Sequence, residues 1–342
     1  MIRFVFAVAA LVIGFGAAAE AQTRDIYTVR DIEVEERADT VIAAQQQAFA
    51  SARIQGAYQL IDRLTLPEDR SGKLEPGAID AALADRLAAA VDVEEEERGG
   101  GRYVGRLAVV YNPANIRSFL EERAIPYVDQ PAPKAVVFPV SDRFAPSVWA
   151  DVWPDESQGR LATFETSRSS LATPASDWTE LGEDVRSANA RRAIKANLTG
   201  SPGSFRVELS SLTAAGESPL GSTPPVATLE EAADAAARTL DEVWKEQSIV
   251  RSTERTPARS TVLFTSLVEW NSLRSALARS PLVSDFAIEG LARGGAVVKF
   301  VYAGDEQRLM SNLRERGVLL QASQSGWVMQ SATSRLSDLS VE

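Results

Sequence analysis

The stretch KAVVFPVSDRFAPSVWADVW, Lys134 to Trp153, governs how the middle of this 342-residue chain is read. AVVFPV is a short, continuous apolar run of the kind that forms a buried strand. It opens into a polar loop, and two tryptophans follow four residues apart. If Ser147 to Trp153 is helical, that spacing places Trp149 and Trp153 on one face. The plainer reading packs them onto a neighbouring sheet or domain. The sharper one makes Phe144, Trp149 and Trp153 an aromatic docking patch, since tryptophan is enriched where binding energy concentrates. No acid–base pair flanks the tryptophans, so a reaction centre there is the weakest of the three readings.

Outward from this stretch the pattern stays mixed. SDWTELGEDVRSANA reads as a helix capped by Ser176 or Asp177. AIKANL and FRVELSSL alternate on both sides of TGSPGS, so Ile194, Ala196 and Leu198 share a face with Phe205, Val207 and Leu209 in a hairpin. AAGESPLGSTPPVA reads as a flexible connection. The helix TLEEAADAAARTLDEVWKEQ then opens on a capping box of Thr228 and Glu231. These elements make a module over residues 129–256, entered through the proline-marked link VDQPAPK.

A preceding module covers residues 22–128. IYTVRDIEVEE alternates as a strand, and a long helix runs from about Ala38 to Leu64 with Asp39 or Thr40 as cap. Ala44, Ala48, Ala52 and Gly56 allow that helix close approach to a sheet. AIDAALADRLAAAVDVEEEER reads as a second helix, GRYVGRLAVVYN as a strand, and PANIRSFLEER as a helix with Asn112 at its cap and Pro113 at its first turn. A third module covers residues 257–330 in the order strand, helix, two strands around ARGG, helix, strand, with GWVMQ as an added edge strand. That order is the ferredoxin-like βαββαβ arrangement. The polar tail, residues 331–342, reads as flexible. The expected class is α+β: three small α/β-sandwich modules, the last ferredoxin-like.

The N-terminus supplies an address. Arg3 precedes an apolar run from Phe4 to Gly16, and Ala19-Glu20-Ala21 gives an A-x-A site with cleavage before Gln22. Residues 1–21 therefore read as a signal peptide. The run is shorter than the ~20 residues of a bilayer span, although a retained anchor is the competing reading. Cleavage leaves an exported, soluble protein, periplasmic if the source is Gram-negative, with no stable membrane insertion.

Composition narrows the chemistry. The net charge is −11 with a pI near 4.9, and no Lys/Arg cluster is present, so nucleic acid and anionic membranes are poor partners. The chain has no histidine and no cysteine. That removes Ser-His-Asp and Cys-His systems, thiolate chemistry and ordinary zinc or iron–sulfur ligation. No cofactor or metal is expected. GGGRYVG lacks the third glycine of a dinucleotide loop and precedes a strand rather than following one. RSGKL, Arg70 to Leu74, lacks the serine or threonine of a phosphate loop. EEEER, Glu94 to Arg98, reads as a solvated charge run rather than a calcium cage. Neither S-x-x-K nor G-x-S-x-G occurs.

YTVRDIEVEERADT, AFASARIQGAYQLIDRL and VVYNPANIRSFLEERAIPYV occur in an order that resembles a family of exported proteobacterial proteins, domain of unknown function family 2066. The middle module, with VVFPV and then ANARRAIKANLTGSPGSFRVELSSL, is similar in order to the N-terminal domains of TolB-like envelope proteins. Thr65-Leu66-Pro67 departs from the glycine usual in that family after its RL pattern. The resemblance implies an envelope location and a non-enzymatic role, and carries no site residues.

The leading expectation is a non-catalytic periplasmic scaffold or adaptor that binds other envelope proteins through sheet edges and the tryptophan region. One alternative is a carboxylate-dependent cell-wall glycan hydrolase using Asp142, Asp151, Asp155 or Glu156, which needs two carboxyls ~5–9.5 Å apart in a cleft. The other is a binder of small ligands, which needs a pocket of ~300 Å³ or more with converging polar groups.

Overall fold

The computed structural model describes residues 25–157, 159–169, 171–251, 254–323 and 326–332. The chain is α+β and divides into two compact units, one of residues 1–130 with 159–161, the other of the remaining residues. Ala19, Ala21 and Gln22 of the expected cleavage site, and residues 333–342, lie outside the described residues. Ser331 ends a strand and Ala332 is buried, so these two residues, expected in a flexible tail, belong to the fold.

The N-terminal unit is a three-stranded antiparallel sheet in the order β1 (Thr28–Arg37), β3 (Arg102–Tyr111), β2 (Ala88–Gly99). Helix α1 (Val41–Leu64) packs on it, capped by the Thr40 side chain, which accepts from the Ala43 amide. Ala44, Ala48, Ala52 and Gly56 form its buried stripe, as their small size anticipates. Two short helices, α2 (Pro67–Arg70) and α3 (Ala81–Leu87), and then α4 (Pro113–Glu122) complete the unit. The Tyr27 hydroxyl donates to Asp129 at 2.8 Å, and Arg117 pairs with the same carboxylate at 2.7 Å. Burial, then the Asp129 charge, holds the Tyr27 phenol protonated far above its usual range.

The long second helix is not formed. It ends at Leu87, and Ala88–Gly99 is strand β2. Ala and Glu favour helix in isolation, but ten residues of β3 supply a partner, and cross-strand pairing overrides weak propensity. The Glu94–Glu97 run therefore alternates along a strand, with Glu95 paired to Arg106 at 2.5 Å across the ladder.

In the C-terminal unit the first sheet has the order β5-β4-β6-β7-β8. β4 (Ala135–Val140) and β6 (Arg192–Ser201) are parallel neighbours, as are β4 and β5 (Phe164–Thr166). All six residues of β4 are buried, as expected of a parallel strand covered on both faces. β6 and β7 (Ser204–Thr213) form the predicted hairpin, with Leu198 opposite Val207 and Ala196 opposite Leu209. That apolar face packs against α5 (Pro146–Asp151) and α7 (Leu229–Ser248). The opposite face, with Val136, Phe138 and Val140, packs against α6 (Trp178–Ser187). The Thr228–Glu231 capping box is present. The segment read as flexible instead contributes β8 (Gly216–Ser222), an edge strand on β7.

The second sheet of this unit runs β10-β11-β9-β13-β12. β9 (Arg255–Leu263), α8 (Leu267–Ala278), β10 (Val283–Ala292) and β11 (Gly295–Ala303) follow the expected order, with β11 antiparallel between β10 and β9. A ferredoxin-like sheet would place the strand after α9 (Glu306–Glu315) beside β9. Instead β13 (Gly326–Ser331) takes that position, parallel to β9, and β12 (Val318–Ser323) lies outside it. The GWVMQ segment is thus internal rather than an edge. It carries Met329 into the core and sets Trp327 against Phe300 and Tyr302, with ring centroids 6.3 and 5.5 Å away.

Gly56 tests the close approach of α1. A Cβ there would lie 2.5 Å from the Tyr111 hydroxyl and 2.8 Å from Ile32 Cδ1. Alanine raises helix propensity by ~1 kcal/mol, yet overpacking costs about 1–3 kcal/mol. Gly56→Ala is expected to lower the urea midpoint with the slope unchanged; a raised midpoint contradicts this packing.

Candidate functional site

The tryptophan patch is core, not surface. Trp149 and Trp153 are 0% and 2% exposed. The Trp149 indole donates to the Ala196 carbonyl at 2.9 Å, and the two rings meet edge to face at 5.6 Å. Trp153 in turn meets Phe164 at 5.9 Å. Phe144 is only partly buried and packs edge to face on Phe205 at 5.7 Å. The four-residue spacing does put both tryptophans on one face, but that face is turned onto the β6–β7 hairpin. Burial removes Trp149 and Trp153 from any docking patch and leaves Phe144 as the partly exposed member of the three.

The four carboxylates of the hydrolase reading do not converge on a cleft. Asp142 and Glu156 are exposed, and Asp151 and Asp155 are exposed acids answering one guanidinium, Arg168, at 3.9 and 2.6 Å. Two exposed carboxyls on one solvated guanidinium do not make the enclosed cleft in which a carboxylate pair cleaves a glycosidic bond. Among the described residues, no group of three or more acids is placed to hold a metal ion.

A cleft of about 380 Å³ lies instead within the C-terminal unit, between its two sheets. Its polar lining includes Arg186, Arg191, Arg316, Thr213, Ser272 and Ser331, and no carboxylate is among the lining residues. Trp178, partly buried, supplies apolar wall, and Leu273 and Val318 lie beneath the lining in the core of the second sheet. Each arginine is positioned by a local reason. Arg186 sits in the last turn of α6, where a cation complements the helix dipole, and pairs with Glu183. Arg191 precedes β6, its amide bonded to the Lys134 carbonyl at 2.9 Å and its guanidinium to Ser272 Oγ at 3.1 Å. Arg316 caps α9, its Nε bonded to Asn312 Oδ1 at 3.2 Å and its guanidinium 5.4 Å from the Trp244 ring centre.

The neighbouring pair explains the imbalance. Arg192 and Glu315 are both buried and ion-paired, with Ser211 Oγ donating to the same carboxylate at 3.1 Å. Glu315 is thereby consumed by Arg192. Arg316 Nη2 is buried with no hydrogen-bond partner among the described residues. Burial, then the charges of Arg192 and Arg279, pulls the Arg316 guanidinium down to about 10. Glu183 answers Arg186, and two helix C-termini each contribute about half a negative charge. That leaves the cleft net positive at Arg191 and Arg316, with the Arg279 charge acting on Arg316 in addition.

The seam around the cleft is fixed by further polar contacts. Arg308 of α9 donates to the Gln247 and Glu246 carbonyls at 2.9 and 2.6 Å, capping the C-terminus of α7. Asn312 accepts from Ser280 Oγ at 2.9 Å. None of these arginines was singled out from the sequence. Their only signal is the doublet Arg191-Arg192, where Arg192 is paired inside and Arg191 is left over, and the triplet RER at 314–316, where Glu315 serves Arg192 rather than Arg316.

A second surface bears on the adaptor expectation. Edge strand β10 exposes Ile288 and Leu291, and Leu267 and Val268 are exposed at the start of α8. Register shifts between Ser284 and Ala287 and between Ile288 and Gly290 interrupt this edge. Such bulges discourage the addition of a further strand.

No protein-family model and no curated protein matches the chain, so the family resemblance stands without a matching model. Among solved structures, TolB from Acinetobacter baumannii is similar at 15% identity and a TM-score of 0.23, over 37% of this chain and 31% of that one. The match thus spans about a third of that protein's length. No helix among the described residues is long and apolar enough to cross a membrane.

Arg316 gives a stability test of the charge imbalance. At neutral pH the guanidinium is still charged, so its lowered value registers as folding free energy lost, and the loss persists at every pH below about 10. Methionine keeps an apolar contact with Trp244 and leaves Asn312 bonded to Ser280. Arg316→Met is expected to stabilise the ligand-free chain by about 1 kcal/mol or more, read as a higher urea midpoint at pH 7. A lower midpoint would mean that the guanidinium already has its counter-charge.

Proposed function

We propose that the chain is a non-catalytic binding protein of the bacterial cell envelope, which holds an anionic group of its partner in the Arg191–Arg316 cleft. The observation that carries this reading is a lining with three arginines and no carboxylate. Arg186 and Arg191 are exposed, so the cost falls on Arg316, whose buried and incompletely bonded cation destabilises the fold until an anion completes it. The leader-like N-terminus supports export, and a chain without histidine or cysteine suits holding better than chemistry. The cleft also meets the size and polar convergence expected of a small-ligand site. The adaptor role draws in addition on the exposed apolar residues of β10 and α8, but the bulged edge makes the cleft the better-supported contact.

The reading is tested by titrating the chain from Gln22 with inorganic phosphate and, separately, with phenylacetate at fixed ionic strength in a calorimeter. One saturable site is expected for at least one of the two anions, lost in the double variant Arg191→Gln/Arg316→Met. Absence of saturable binding by both anions, or equal binding by the double variant, contradicts it.

A further inference from the structure

Resting on that reading, we infer that the cleft takes a carboxylate borne on an apolar body, with the carboxylate on Arg191 and Arg316 and the body against Trp178.

Three observations select this chemistry over other anions. The first is charge. The cleft stays net positive after Glu183 and the two helix ends are counted, and no carboxylate is among its lining residues. The second is the wall. The partly buried Trp178 ring lines the same cleft as the arginines, while Leu273 and Val318 beneath it are already buried in the core of the second sheet. A small, strongly hydrated ion gains nothing from such a wall, whereas an apolar body gains about 25 cal/mol for each Å² it buries. The third is geometry at the cation. Guanidinium is planar and matches a carboxylate with two parallel N–H···O bonds. Arg191 and Arg316 both line the cleft; Arg191 is exposed and fixed to Ser272 through Nη1 alone, and Arg316 Nη2 is enclosed without a partner among the described residues. Thr213, Ser272 and Ser331 add hydroxyl and backbone groups to the lining, which suits an amide or other polar link between carboxylate and body. Two sources share this chemistry: a free aryl or alkyl acid, and a peptide C-terminus ending in an apolar residue.

The test uses the chain from Gln22 and five probes in the same calorimeter: phenylacetate, phenylacetamide, acetyl-alanyl-leucine with a free carboxylate, the same dipeptide amidated, and inorganic phosphate. At least one of the two carboxylates is expected to bind about tenfold or more tightly than its amide and more tightly than phosphate. Arg316→Met and the milder Arg191→Gln, whose side chain is exposed and whose loss leaves the fold intact, should each weaken that carboxylate about tenfold. Which of the two carboxylates binds assigns the source. If phosphate binds at the cleft as tightly as either carboxylate, the inference falls while the anion-binding reading stands. If the amides bind as well as the acids, or if nothing binds, both fall.

Discussion

The buried ion pair between Arg192 and Glu315 is the constraint on which the C-terminal unit turns. It ties the first residue of β6 to the last residue of α9, and so joins the two sheets at a point where neither charge meets water. A buried pair is weak evidence for net stability, because desolvation offsets most of the attraction. Removing either partner is another matter, since it strands the other charge. Ser211 further fixes the carboxylate, and Arg308 clamps the end of α7 alongside. The consequence is local and specific: Glu315 serves Arg192, and the next residue, Arg316, is left charged, half-buried and incompletely bonded among the described residues.

The remainder of the account follows from that imbalance. Folded proteins keep unpaired buried cations rarely, and such groups concentrate where a ligand supplies what the fold does not. The tryptophans that drew attention in the sequence serve the opposite purpose. Trp149, Trp153 and Phe164 form a continuous aromatic packing beneath the β6–β7 hairpin, which holds β6, and with it Arg191 and Arg192, in place. Core and site are linked through that strand.

Much of the fold was legible and the site was not, for the same physical reason. The hairpin at Ile194–Leu209 could be read because its alternation is local and one face is uniformly apolar. The Thr228–Glu231 cap and the small-residue stripe of α1 were likewise local signals. Strand β2 was misread because Ala and Glu are good helix formers, and only pairing with β3, a contact beyond any short window, decides otherwise. Insertion of β13 between β9 and β12 was hidden for a related reason: adjacency in sequence suggests an added edge, and the core position of Met329 is a tertiary fact. Arg191 and Arg316 are 125 positions apart, so nothing in the linear pattern brings them to one cleft. The aromatic spacing at 149 and 153 correctly gave a shared face, but spacing does not say whether a face looks outward or inward.

The most direct measurement is side-chain NMR of the arginine Nε–H groups in the full chain from Gln22, followed while phenylacetate is added. The account predicts saturable shifts confined to Arg191 and Arg316, with Arg259, an exposed arginine paired to Glu289 far from the cleft lining, unmoved. Shifts spread evenly over all exposed arginines, or none at Arg316, would contradict it.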